Sequence, residues 1–251
     1  MKKQILILAS ALVGLGLLPA HAQFGPPGGG HGPTFGGATG KLFGEHQSFS
    51  ATLEIQTTDP SGNGVTMPGR ISLAAGKSRF EINLADVKGS KMPPNAMAHM
   101  KTMGMDRMVT ISRPDKKASY LIYPGMQSYV ENRATEADTA APGDFKVEMT
   151  EIGKETVDGH PCVKNKVVVT DKENKKHEST VWNATDLKNF PIKIQTQEQG
   201  GNATMLFKDI SFDKPGDTTF EIPSGYTKYD NMQTMMQTEM MKKMGGGGFE
   251  R

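Results

Sequence analysis

The 251-residue chain has one cysteine, Cys162, and one tryptophan. A single thiol cannot close an internal disulfide, so the fold must rest on a hydrophobic core rather than on cross-links. Charge of one sign is missing too. Lys and Arg number 29 against 27 Asp and Glu, and losing Lys2 and Lys3 with an N-terminal leader leaves 27 against 27. A chain without net charge has no long-range field to draw it toward phosphates, which argues against nucleic acid as a partner. No G-x-S-x-G or H-E-x-x-H string occurs, and His46, His99, His160 and His177 stand in unrelated contexts without metal-ligand spacing. These absences predict a protein that is not an enzyme and needs no cofactor. Cys162, beside Val163, reads as a small buried hydrophobe, and His160, within Asp158-Gly159-His160-Pro161, as an exposed loop residue.

The apolar run from Ile5 to Leu18 is shorter than the ~20 residues that a spanning helix requires. Lys2 and Lys3 precede it and Ala20-His21-Ala22 follows, the three parts of a secretory signal peptide over residues 1–22. Gln23 comes next, not the Cys that lipid anchoring would need. The expectation is a soluble protein, periplasmic or secreted, with at most peripheral membrane contact. Residues 23–45 are dominated by Gly and Pro around isolated Phe24, Phe35 and Phe43, which predicts a disordered tether; His31 within it reads as incidental.

From residue 46 to 230 the pattern is that of strands. Phe49, Ala51, Leu53 and Ile55 alternate with polar residues, as do Phe80, Ile82 and Leu84, then Phe145, Val147 and Met149, then Phe190, Ile192 and Ile194. Asp59 to Gly64, Lys154 to Gly159 and Gly200-Gly201-Asn202 read as turns, and Ala134 to Gly143 as a disordered connection. About ten antiparallel strands predict a curved sheet or incomplete β-barrel rather than a sandwich. At its centre Arg107–Arg113 and Lys117–Tyr123 form a hairpin. Pro114-Asp115-Lys116 turns it, and Gly125 supplies a positive φ after it. Leu121 and Tyr123 point one way and Tyr120 and Ile122 the other, so this strand is expected to be covered on both sides.

Methionine is the anomaly. Met92, Met97, Met100, Met103, Met105 and Met108 surround His99, before, on and after a short helix expected over 96–103 with Asn95 as its cap. A second helix, Tyr229 to Met244, sets Met232, Met235, Met236, Met240 and Met244 on one face, and residues 231–251 read as a Met-rich helix and Gly-rich tail outside the 46–230 domain. Flexible, polarizable thioethers suit an irregular cavity or a loosely filled core; they are also soft ligands for Cu(I).

Three strings carry a resemblance: R-P-D-K-K-A-S-Y-L-I-Y-P-G-M-Q-S-Y (113–129), G-K-E-T-V-D-G-H-P-C (153–162) and F-E-I-P-S-G-Y (220–226). They resemble a family of secreted bacterial proteins with a domain of unknown function, similar in turn to the periplasmic lipoprotein-carrier (LolA/LolB-type) group. The likeness covers roughly residues 48 to 230 and contains no catalytic motif. It implies a mainly β (α+β) fold, an incomplete antiparallel barrel lidded by short helices over an apolar cavity. The expected function is a non-enzymatic carrier of a lipid, an acyl chain or a lipidated protein. Its cavity would lie between the concave sheet face and the two helices, lined by Met97, Met100, Val109, Ile111, Tyr120, Ile122, Met232, Met235 and Met236. The alternatives are a copper-binding or metal-stress protein using His99, Met100, Met103 and Met105, and a structural envelope protein with a filled core. The sequons at Asn183 and Asn202 carry no weight in a bacterial chain.

Overall fold

Alternation of apolar and polar residues builds a single sheet in this computed structural model, which describes residues 35–58, 63–90, 92–134, 144–198 and 201–245. The leader, residues 23–34 of the tether, parts of three predicted turns and connections (59–62, 135–143 and 200) and the last residues of the tail lie outside them. Twelve strands form: β1 Ser48–Thr58, β2 Gly64–Ala74, β3 Lys77–Asn83, β4 Arg107–Arg113, β5 Ala118–Tyr123, β6 Ser128–Arg133, β7 Lys146–Val157, β8 His160–Thr170, β9 Lys176–Ala184, β10 Phe190–Glu198, β11 Gly201–Ser211 and β12 Thr227–Tyr229. Their order is β12-β6-β5-β4-β3-β2-β1-β11-β10-β9-β8-β7, a curved sheet that does not close because β12 and β7 do not meet. All neighbours are antiparallel except β12, which runs parallel to β6. Among the described residues the α-helices are α1 Gly37–Lys41, α2 Pro94–Met103 and α3 Met232–Gly245.

Because side chains alternate along a strand, register divides the sheet into two faces. One carries Phe49, Leu53 and Ile55 of β1, Ile71 of β2, Phe80 of β3, Val181 of β9, Ile194 of β10 and Phe207 of β11, all buried in one cluster. Phe35, Leu42 and Phe43, around α1, complete that cluster. Phe43 packs its ring 5.1 Å from Phe49 and 5.5 Å edge-on from Phe207. Residues 35–45 are therefore part of the core, contrary to the expected tether ending at 45. Three aromatic and aliphatic side chains recover more free energy by burial than the glycines between them lose by ordering. Further along the same face, Leu121, Tyr123, Met126 and Val130 pack under Met235 of α3, with Met105, Met108, Met232 and Met236 around them. This is the helical face, and α3 belongs to the same folded unit rather than to a separate tail.

The opposite face carries Val109 and Ile111 of β4 with Ala118, Tyr120 and Ile122 of β5, covered by Phe220 and flanked by Ile222 and Tyr226. Residues 217–226 thus lie as a strap across this face. The chain then adds β12 to the sheet edge, turns at Asn231, whose Oδ1 accepts from the Thr234 N–H at 2.8 Å, and runs back over the helical face as α3. The C-terminal segment grips one edge of the sheet from both sides.

Several local expectations change. The β7 strand runs on to Val157, so the turn is only Asp158-Gly159, both with positive φ, the signature of a two-residue hairpin. Helix α2 begins at Pro94, whose missing N–H is harmless there, with Pro93 as cap instead of Asn95. Pro114–Lys116 and Pro124–Met126 are short 3₁₀ turns that close on a left-handed residue, Lys117 and Gln127 respectively. The positive φ thus falls on Gln127, not on Gly125. Gly125 is needed for another reason: a Cβ there would run into the main chain of Gly104, the left-handed residue that ends α2. Pro68 sits within β2 opposite Glu54 but beyond the stretch that β3 pairs, where its missing N–H costs no ladder bond.

Candidate functional site

The strap is fixed by charge. Arg113, at the end of β4, is 6% exposed. Its Nε and one terminal nitrogen donate to the two oxygens of Asp115 at 2.9 and 2.7 Å, and the other terminal nitrogen donates to the Phe220 carbonyl at 3.2 Å and Glu221 Oε1 at 2.5 Å. Lys116 adds Glu221 Oε2 at 3.1 Å, and Lys77 reaches Asp217 at 2.6 Å while lying 5.2 Å over the Phe220 ring. The Arg113 guanidinium holds the carboxyls of Asp115 and Glu221 below their ordinary range through those hydrogen bonds, with Lys116 assisting at Glu221. The first and third of the strings singled out in the sequence meet at this cluster.

Beside the strap, a groove of about 690 Å³ opens on the same face. Val109, Ile122, Pro124, Pro223 and Tyr226 line its apolar part, and Arg70, Arg79, Glu81, Asp86 and Arg107 its charged part. A second hollow of about 450 Å³ shares Thr52, Arg70, Arg79 and Glu81 with it and continues to Ser72 and Asp209. Arg79 is engaged: its Nε donates to Glu81 at 2.5 Å and a terminal nitrogen to the Thr219 carbonyl at 3.2 Å. Arg70 and Arg107 are exposed, and their side chains make no hydrogen bond or ion pair among the described residues. The groove therefore sets two unpaired guanidinium groups beside an apolar floor.

The nine residues expected to line one cavity divide between the two faces. Val109 and Ile122 line the groove, and Ile111 and Tyr120 lie on the same face beneath the strap. Met232, Met235 and Met236 lie on the other face, where Met235 is fully buried. Met97 and Met100 are half-buried on α2. The reason is the two-residue period of β5: Tyr120 and Ile122 cannot share a side with Leu121 and Tyr123, over which α3 packs. The methionine stripe of α3 is also interrupted. Met240 is 42% exposed, and Glu239 takes the inward place at 7% exposure. Its carboxylate accepts from Ser128 Oγ at 3.1 Å, the Tyr229 hydroxyl at 2.6 Å and Lys242 Nζ at 2.8 Å. Burial pushes the Glu239 carboxyl up, but these donors outweigh it and hold it below its ordinary value. The side chain of Met244 lies outside the described residues.

On α2, His99 is exposed, Met100 half-buried and Met103 buried. No group of three or more His, Cys, Asp or Glu side chains is placed to hold a metal ion among the described residues. Near the β7–β8 turn, His160 Nδ1 lies 2.8 Å from Asp186 Oδ2, and Cys162 is two residues away on the same strand. The thiol, however, donates to the His160 main-chain carbonyl at 3.3 Å, and burial raises its pKa. A thiol held protonated and turned from the imidazole is not an activated nucleophile. Sequence reasoning missed Arg113 and the strap as a unit. The signal was present in Arg113 itself, a charge at a position where the strand pattern points inward.

No curated protein sequence matches the chain significantly. Three solved structures share its general outline at low identity: a LolA superfamily protein from Nitrosomonas europaea (10% identity, 72% of this chain and 93% of that one, TM-score 0.35), the lipoprotein LppX from Mycobacterium tuberculosis (13%, 67% and 88%, 0.40) and a putative outer membrane lipoprotein-sorting protein domain from Vibrio parahaemolyticus (9%, 78% and 94%, 0.32). The family described as "Domain of unknown function (DUF4412)" matches residues 49–190, which run from β1 to the start of β10 and include the Arg113 turn, the two-sided β5 strand and the β7–β8 hairpin. That match spans more than half of the sequence, and the chain belongs to this family.

Proposed function

We propose that the protein is a non-enzymatic, exported binding protein for an amphiphilic ligand: a lipid, a free acyl chain or the acyl chain of a lipidated protein. The observation that carries this reading is the groove on the strap face, where an apolar floor adjoins the unpaired Arg70 and Arg107. Burying methylene groups contributes ~0.8 kcal/mol each, so a chain of several carbons laid along Val109, Ile122, Pro223 and Tyr226 offsets the cost of immobilising it. Phe220 occupies the continuation of that floor over Ile111 and Tyr120. Displacing the strap would extend the groove onto them and unite four of the residues expected from the sequence in one site. On the helical face the described side chains around Phe43 and around Met235 pack into buried clusters, which favours the strap face for the ligand.

The test is native mass spectrometry of the exported protein together with titration of a fluorescent fatty acid. We expect a co-purifying lipid or saturable uptake, weakened roughly 5–30-fold by Tyr226→Ala, the loss expected for an aromatic contact of ~1–2 kcal/mol. Arg70→Glu should weaken a carboxylate-bearing probe more than its methyl ester. Neither lipid nor uptake, with the protein folded by circular dichroism, would end the proposal.

A further inference from the structure

Arg107 and Arg70 are both unpaired in the groove, but for different reasons. Arg107 lies opposite Asn83, which carries no charge. Arg70 lies opposite Glu81, on the neighbouring strand and the same face. Directly opposed residues have Cβ atoms about 4.5–5.5 Å apart, and opposite charges at that spacing ordinarily attract and stabilise. Yet the Glu81 carboxylate turns along its own strand instead, to Arg79 Nε at 2.5 Å. The other carboxylates near Arg70 on this face are engaged as well. Glu54, opposite Pro68 and hence on the face of Arg70, accepts from Gln56 at 2.5 Å and from Lys208 at 3.3 Å, and Asp209 accepts from Thr52 Oγ1 at 3.0 Å.

The strap accounts for the partner that Glu81 takes. The Arg79 side chain is 19% exposed, and one terminal nitrogen is bonded to the Thr219 carbonyl. A guanidinium ordered in this way loses little further freedom on pairing, whereas the exposed Arg70 would have to be immobilised for it. Arg70, Arg79 and Glu81 line both the groove and the second hollow, so all three charges stand where the two adjoin.

We propose that Arg79 is a positioning residue for the charge of the ligand. By holding Glu81 away from Arg70, it keeps the Arg70 guanidinium free for the head of the amphiphile. The inference rests on the groove being the binding site, as proposed above, and it names the class selected there: amphiphiles with an anionic head. Without Arg79, Glu81 turns to Arg70 and neutralises it. The bond from Arg79 to Thr219 ties this selection to a closed strap.

The test measures the affinity of the exported protein for a fluorescent fatty acid and for the methyl ester of that acid, and reads the ratio of the two. Loosening of the strap alters access for both probes and cancels in the ratio. Wild type is expected to prefer the acid. Arg79→Gln should lower that preference roughly 2–5-fold, the scale of one exposed ion pair. The double variant R79Q/E81Q should restore it, and Arg79→Gln made on an Arg70→Gln background should change it no further. Glu81→Gln alone, which removes no contact of the strap, should raise it. Circular dichroism confirms the fold of each variant. Equal affinities in wild type, a preference unmoved by Arg79→Gln, a double variant as low as R79Q, or a further loss on the Arg70→Gln background would each overturn the role of Arg79 while leaving the groove as a binding site. Uptake of neither probe would overturn both.

Discussion

Two side chains show how single residues hold this molecule. Arg113 is buried with one terminal nitrogen shared between a carbonyl and a carboxylate of the strap. Removing one partner of a buried charge cluster leaves the others unpaired. Arg113→Ala is expected to cost about 1–3 kcal/mol, toward the low end of buried pairs because Asp115 and Glu221 are half-exposed and can rehydrate. Arg113→Lys should recover only part of it, since an ammonium cannot bond Asp115 in a fork while reaching the strap. Urea denaturation checks both, and limited proteolysis should cut first within 217–226. Glu239 makes a pH prediction. Its folded pKa lies below the ordinary value near 4.5, so its contribution is complete above that pH and is lost as pH falls through the folded value. Glu239→Gln should lower stability at pH 7 and flatten the loss as pH falls below the ordinary carboxyl value, because the amide does not titrate there. An unchanged acid limb in urea melts at stepped pH would contradict this.

At the scale of elements, the strands were legible because alternation is a local signal with a period of two. Phe49 to Ile55, Phe80 and Ile82, and Val109 and Ile111 stand where their pattern puts them, and β5 is covered on both sides as Leu121 and Ile122 require. What covers each side was not legible. The strap comes from 217–226 and α3 from 232–245, more than 90 residues away, and no periodicity says which goes to which face. The α1 segment was hidden for a different reason. Its glycines, following a Gly/Pro-rich stretch, resemble a tether, and only the tertiary contacts of Phe35, Leu42 and Phe43 make it core. Phe43→Ala is therefore expected to destabilise by about 3–5 kcal/mol, as for a fully buried aromatic, and deletion of residues 23–34 to cost far less. Equal effects in thermal melts would return the segment to the role of a tether. On the binding side, Val109 and Ile122 were legible as inward residues, whereas Arg70 and Arg107 look like ordinary outward charges. Their lack of partners becomes visible only in three dimensions.

The whole molecule is one bent sheet with two unlike faces and two unlike edges. The helical face buries one cluster around Phe43 and another around Met235, and the strap face keeps a groove with both apolar and cationic lining. One edge is wrapped by the C-terminal segment, and at the other, β7, no strand pairs with the outer side among the described residues. The difference between the faces matters for function. A carrier cavity under α2 and α3 would place the ligand among Met97, Met100 and Met236, whereas the groove places it beside Val109 and Tyr226. Photocrosslinking with a diazirine-bearing fatty acid, followed by peptide mapping, separates these directly. The account predicts label on residues 107–122 and 220–226, reduced by Tyr226→Ala; label confined to α2 and α3 would contradict it.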